Sequence, residues 1–209
     1  MGQQVRYGRR RSHGAGALIA AVILVVAALI AAWTLLPRLF TPRETARTAE
    51  EAYCAAVSSD GARRTLTPDQ AQNAALIANI AVTRRLPDHA ATVAIATAMQ
   101  ESRLTNLDYG DLDSLGLFQQ RPSQGWGTAE QVSDMTYATN IFYDHLLQVP
   151  DWETIPVEDA AQEVQRSGYP ELYAAWDAMA RAWASGLTGE RSAGVTCALE
   201  PATSSDADG

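Results

Sequence analysis

The stretch Ala94–Leu104, AIATAMQESRL, is a run of small and apolar residues in helical register that closes on a glutamate. Counting back from Glu101 by three and four residues gives Ala98, Thr97, Ala94 and Val93 on one face. That stripe belongs against an interior. The end of a helix carries partial negative charge and disfavours a second negative group there. A carboxyl at the edge of such a stripe is partly desolvated, which raises its proton affinity and suits it to general acid work near neutrality. The competing reading is an ordinary one, with Glu101 in water or paired with Arg103 or Arg121.

Helix signals surround this stretch. The segment TPDQ offers Thr67 as N-cap, Pro68 at the first helical position and Gln70 to complete a capping box, for a helix to about Arg85. The Glu101 helix begins near Asp88 and ends near Arg103. TAEQ at Thr128 is a second capping box. MTYATNIFYDHLLQVP, IPVEDAAQEVQRS from Pro156, and YPELYAAWDAMARAWASG from Pro170 to a C-terminal glycine at Gly186 read as further helices. Trp176 and Trp183, one heptad apart, are expected in the core. Strand signals are nearly absent, which predicts an all-α domain. Between these helices, residues 104–127 (LTNLDYGDLDSLGLFQQRPSQGWG) lose periodicity. Their Gly, Asp and Gln content with large apolar residues marks an ordered loop, with a short hairpin as an option.

The chain ahead of this domain is of another kind. Arg6, Arg9, Arg10 and Arg11 precede an uncharged 22-residue run, Ala15–Leu36. At about 1.5 Å per residue it spans a hydrocarbon core of about 30 Å. The arginines stay cytoplasmic and send the C-terminal part outside. A cleaved signal peptide fits less well, because the apolar run passes into Trp33 without a small-residue cleavage site. All 24 acidic residues and 12 of the 16 arginines follow this run, leaving that part near −12. Such a charge makes the domain a poor candidate for phosphate-backbone binding, which relies on Lys and Arg. No nucleic acid partner is expected.

Both cysteines lie on the exported side. Near the two ends of the domain, Cys54 and Cys197 read as one disulfide in an oxidising compartment, over the alternative of two separate thiols. His13, His89 and His145 show no ligand spacing, so neither a metal nor another cofactor is expected. The organisation expected is a basic tail at 1–14, a transmembrane helix at 15–36, a connector at 37–66, a folded domain at 67–187, and a C-terminal segment at 188–209. The connector residues PRETARTAEEAYCAAV are expected to be helical up to the turn signal SSDG.

Glu101-Ser102, followed 18 residues after the Glu by the Gln of Gly116-Leu117-Phe118-Gln119, resembles the lysozyme-like soluble lytic transglycosylases and goose-type lysozymes. YATNIFYDHLL is similar to that family's Asn-Ile helix, with Asn140 as the match. QRPSQGWGT and VQRSGYPELY resemble a membrane-anchored actinobacterial branch of the superfamily. The resemblance covers roughly residues 68–185. It implies a lysozyme-like helical fold and cleavage of the MurNAc–GlcNAc strands of peptidoglycan at the outer face of the cell membrane. It also implies Glu101 as acid and base. Asp111 or Asp113 would match the second carboxylate of goose-type enzymes, against ordinary turn chemistry for an Asp beside Gly. Gly110 stands where the transglycosylase pattern has a serine, and Phe118 where it has Met. Ser114, Gln119, Gln120, Asn140, Tyr143, Gln165 and Tyr169 are candidate glycan contacts, with loop-to-backbone bonding the alternative for the two loop glutamines. Trp126, Tyr109 and Tyr143 are flat amphipathic rings suited to sugar faces. Arg121 would bind stem-peptide carboxylates or form a structural salt bridge. The rival reading is an inactive peptidoglycan-binding or scaffolding module with an envelope protein partner.

Overall fold

The computed structural model describes residues 52–199. The expected transmembrane run at 15–36 lies outside them. Among the described residues no helix is long and apolar enough to cross a membrane.

Six α-helices and a three-stranded sheet make up this part of the chain. In order they are β1 Tyr53–Val57, β2 Arg63–Leu66, α1 Pro68–Thr83, α2 Asp88–Ser102, α3 Ala129–Ser133, α4 Met135–Leu146, α5 Val157–Gln165, α6 Asp177–Thr188 and β3 Val195–Ala198. The helices dominate, but the all-α expectation is corrected by the sheet, whose antiparallel order is β2-β1-β3. The expected helix through YCAAV is strand β1. The turn signal was in the right place: Gly61 adopts φ 82° and its N–H donates to the Ser58 carbonyl at 3.0 Å. What propensity missed is that the turn closes a hairpin. Cys54 then stands directly opposite Cys197 on β3 and is bonded to it. An alanine-rich strand owes its conformation to two flanking partners and a cross-link more than to its residues.

Both capping boxes form. Thr67 Oγ1 accepts from the Gln70 N–H at 3.2 Å, and Thr128 Oγ1 from the Gln131 N–H at 3.2 Å. Helix α2 is the axis of the domain. Ala90 through Ala98 are all buried, so it is enclosed on every side rather than along one stripe. It packs against α1, α4, α5 and α6. Small side chains let those neighbours approach closely. Thr92 and Thr97 bring hydroxyls into this interior and return them to the Asp88 and Val93 carbonyls one turn back.

The last helix departs from expectation at both ends. Pro170–Leu172 and Ala174–Trp176 are 3₁₀ turns, and α6 starts only at Asp177. Its C-cap is Gly189 at φ 87°, not Gly186. Gly186 is interior because a Cβ there would lie 3.0 Å from the carbonyl carbon of Gly194. It serves close approach of the chain entering β3. Trp183 is fully buried and its indole N–H donates to the Arg64 carbonyl of β2 at 3.0 Å, as a core position requires. Trp176 is only half-buried and its indole N–H donates to Gln100 Oε1 at 2.8 Å.

Candidate active site

Glu101 sits in the last turn of α2, half-buried. The helix stops two residues on because Arg103 and Leu104 both take left-handed backbone, at φ 56° each. Ser102 fixes the loop to this end. Its hydroxyl reaches both the Ala98 carbonyl, at 3.0 Å, and the Leu117 carbonyl, at 2.7 Å. The GLFQ segment is thereby fastened beside the glutamate. Within the loop, Leu107 bridges Gly116 and Leu115 bridges Gln120, so the expected short hairpin is present as two isolated bridges.

Neither arginine considered for Glu101 pairs with it. The Arg103 guanidinium lies over the Trp176 ring, 4.5 Å from its centroid. Arg121 donates to Asp113 at 2.8 Å. Among the described residues the carboxyl has one side-chain hydrogen bond, from the Tyr173 hydroxyl to Oε1 at 2.6 Å. Burial raises the Glu101 pKa above the usual carboxylate range, and the Tyr173 hydrogen bond opposes that rise in part. Tyr173 is itself fully buried. Burial first, then the neighbouring carboxylate, pushes its hydroxyl far up. The tyrosine therefore keeps its proton and donates a hydrogen bond to the Glu101 carboxyl. Tyr173 lies 72 positions along the chain in a 3₁₀ region, and nothing in its local sequence signals this role.

Asp113 is the hub of the loop. Its carboxylate accepts from Arg121 Nε at 2.8 Å, the Ser123 N–H at 2.7 Å and the Ser123 hydroxyl at 3.0 Å. The Arg121 hydrogen bond, followed by those from Ser123, holds its pKa well below the usual range. An ionised carboxylate with three donors already on it fits the ordinary turn-chemistry reading of Asp113. Asp111 is exposed, its carbonyl closing the turn onto the N–H of buried Ser114 at 3.0 Å.

The other expected glycan contacts separate into groups. Gln120 is 1 % exposed and donates to the Ala138 carbonyl at 3.0 Å, inside the domain. Tyr143 is fully buried and donates to the Ile77 carbonyl at 3.0 Å. Both are corrected to core residues: their polar tips anchor α4 from within and cannot meet a sugar. Asn140 is tied to the Thr136 carbonyl and to Arg84, which also pairs with Asp144 at 2.6 Å. Tyr109 and Tyr169 are each 67 % exposed.

Gln119, Trp126 and Gln165 are brought together. They line one open cleft of about 530 Å³ with Arg121, His145 and Arg166. The Gln165 amide donates to the Phe118 carbonyl at 2.9 Å, which binds α5 to the loop. Gln119 adopts φ 48° and donates to the Tyr109 and Gly116 carbonyls at 3.2 and 3.1 Å. Trp126 stacks on His145 with ring centroids 4.3 Å apart. Burial lowers the pKa of that imidazole. The His145 contact, between two residues 19 apart with no shared pattern, is also invisible in the sequence. Glu101 is not among the residues lining this cleft. The two places are joined through the backbone of the loop: the Leu117 carbonyl accepts from the Ser102 hydroxyl, and the next carbonyl, of Phe118, accepts from the Gln165 amide.

Gly110 explains itself in this frame. A Cβ there would stand 2.0 Å from Gln119 Oε1 and 2.6 Å from the Ser114 carbonyl. The serine of the transglycosylase pattern has no room at this position while the Gln119 amide and the Asp111–Ser114 turn are as they are.

No protein-family model matches the chain, and no curated protein matches its sequence. The lysozyme-like resemblance therefore rests on the short sequence motifs at Glu101-Ser102, Gly116–Gln119 and Asn140 alone.

Proposed function

We propose that the domain cleaves the glycan strands of peptidoglycan, as a lytic transglycosylase or muramidase, with Glu101 as acid and base. The observation that carries this reading is a half-buried carboxyl at the end of α2 whose proton affinity is raised by burial, with the Tyr173 hydroxyl on one oxygen and no arginine paired with it among the described residues. Protonated, Glu101 delivers its proton to the glycosidic oxygen as the C1–O bond breaks. The resulting carboxylate, steadied by the Tyr173 hydroxyl, then removes a proton from the attacking oxygen. If that oxygen is the muramyl 6-hydroxyl, the product is a 1,6-anhydro sugar; if it is water, a reducing end. With Asp113 engaged by Arg121 and Ser123, positive charge on the sugar is met by the substrate's own N-acetyl group rather than by a protein nucleophile.

The Cys54–Cys197 bond fits an oxidising compartment, in keeping with an extracytoplasmic domain carried on the apolar run at 15–36. Mass spectrometry of purified sacculi digested with the full chain tests the proposal. Soluble muropeptides are expected with wild type and none with Glu101→Gln. Equal release by the two at matched folding sinks the assignment.

A second reading has one observation in its favour, the absence of Glu101 from the cleft lining. The domain would then hold wall glycan without cutting it, as a scaffold within an envelope complex. Retention on sacculi with no released fragment under any condition is the result that selects it.

A further inference from the structure

The chain between α5 and α6 starts at the cleft, whose lining ends with Arg166, and reaches Glu101 at Tyr173. It is loosely held. Of the side chains described across 168–175, Tyr173 alone is buried, while Tyr169 and Leu172 stand exposed. Its backbone hydrogen bonds, from Leu172 to Tyr169 at 3.2 Å and from Trp176 to Tyr173 at 3.0 Å, stay within it and reach no other element among the described residues. Side chains do the fastening. At the near end the Gln162 amide donates to the Ser167 carbonyl at 3.0 Å. At the far end every fastener is on the end of α2. Tyr173 donates to Glu101 at 2.6 Å, the Trp176 indole donates to Gln100 at 2.8 Å, and the Arg103 guanidinium covers the Trp176 ring.

Gly168 is the odd glycine of the domain. Every other glycine among the described residues has a positive φ, or has backbone within 3.0 Å of where a Cβ would stand. Gly168 has neither: its φ is not positive and nothing lies within 4 Å of the Cβ position. What glycine alone offers is left-handed backbone without steric cost. The arrangement in this structure does not use that freedom, whereas one with the segment swung away would. The other end is free to follow, because α6 begins at Trp176 without a side-chain cap hydrogen bond.

We propose that residues 167–176 are a strap over Glu101, turning at Gly168 and latched on α2 by Trp176, and that ligand in the cleft reaches the carboxyl when the strap lifts. The inference rests on the reading of Glu101 as the reacting group and adds the regulation of its site. Shut, the strap runs between the cleft and the carboxyl, which accounts for the absence of Glu101 from the cleft lining. Trp176 is a positioning residue: it acts by keeping the Tyr173 hydroxyl on Glu101. Lifting breaks both hydrogen bonds and bares the carboxyl to water. Lost burial outweighs the lost hydrogen bond, so the Glu101 pKa falls toward the ordinary carboxylate range, the opposite of what loss of the hydroxyl alone would do. Alanine at Gly168 makes left-handed backbone costly and the lifted strap about tenfold rarer.

The test follows hydrogen exchange of the five tryptophan indole N–H groups in the ¹⁵N-labelled full chain. Trp183, fully buried with its N–H on the Arg64 carbonyl, reports opening of the whole domain. The Trp176 N–H is expected to exchange at least tenfold faster than that of Trp183. Gly168→Ala is expected to slow Trp176 about tenfold relative to Trp183, with a melting temperature no lower than wild type, because the static structure has room for the methyl group. Gln100→Leu removes the indole's acceptor, and is expected to lower the midpoint of a ¹³C titration of the Glu101 carboxyl. Equal exchange at the two indoles, an unmoved Trp176 rate in Gly168→Ala, or a Glu101 midpoint that stays or rises in Gln100→Leu overturns the inference. Sacculus digestion by the same proteins separates this inference from the reading beneath it. Cleavage that is about tenfold slower in Gly168→Ala supports both, and cleavage at the wild-type rate in that variant removes the strap alone. Exchange and midpoint as expected, with no cleavage by wild type, keep the strap and remove the chemistry.

Discussion

Replacing Tyr173 by Phe deletes one oxygen from a fully buried ring and leaves the ring's packing in place. That oxygen is 2.6 Å from Glu101 Oε1 and is the carboxyl's one side-chain donor among the described residues. A hydrogen bond to a charged group contributes about 1.5–3 kcal/mol. Glu101 is only half-buried, so water replaces part of the loss and the lower figure, about 1.5 kcal/mol, is the better estimate. The penalty falls on the ionised form, so Tyr173→Phe shifts the Glu101 ionisation equilibrium about tenfold toward the proton. The sign for stability follows from the same balance. Burial already places the folded-state pKa above the unfolded one, so the contribution of Glu101 to stability is complete below the ordinary carboxyl range and falls as pH rises through the folded pKa. Tyr173→Phe is therefore expected to cost more stability at pH 7 than at pH 4. A ¹³C titration of the Glu101 carboxyl in both proteins measures the effect directly. A midpoint that stays put or moves down in Tyr173→Phe would show that the hydroxyl does not favour the carboxylate, and the role given to Tyr173 would fail with it.

Gly110→Ser is expected to destabilise the loop by about 1–3 kcal/mol, because the new Cβ must displace the Gln119 amide and the Ser114 carbonyl. A crystal structure of the variant with both groups unmoved would contradict this. Asp113→Asn should speed amide exchange at Ser123 while leaving sacculus digestion measurable. Loss of digestion with unchanged exchange would return Asp113 to a chemical role. Because its folded pKa is depressed, its support of the loop is present above the ordinary Asp range and fades as pH falls toward the folded value, so wild-type Ser123 exchange should rise only in strong acid. Cys197→Ser opens a loop of 143 residues, a loss of about 4–5 kcal/mol in the chain-entropy model and on the order of 10 °C in melting temperature. A melting temperature unchanged from wild type, by calorimetry of the full chain, would mean that the strand pairing of β1 with β3 carries the closure without the cross-link.

Much of the helical framework could be read from local chemistry. The capping boxes at Thr67 and Thr128 and the start of α2 near Asp88 are satisfied within a few residues of chain, so short-range rules suffice. The sheet could not be read this way. YCAAV has no strong preference of its own, and it becomes a strand because β2, β3 and Cys197 meet it from elsewhere in the chain, with pairings as near as Val57 with Arg63 and as far as Tyr53 with Ala198. Gly186 shows the same limit, since a glycine near a helix end looks like a cap until the returning chain at Gly194 is in view. In the site, Gln120 and Tyr143 carry polar groups that suit substrate or interior equally, and only burial assigns them to the interior.

By itself the sequence determined that Glu101 closes a buried-type helix, that an irregular loop follows it, and that two cysteines flank the domain, because each is a matter of composition or of spacing along one element. The tertiary structure alone decided that Tyr173 rather than an arginine meets the carboxyl, that Asp113 is spent on Arg121 and Ser123, and that Trp126, Gln165 and Arg166 share one recess. Proton affinity and ligand shape depend on which distant groups exclude water from a point in space, and that is fixed only when the helices close on one another.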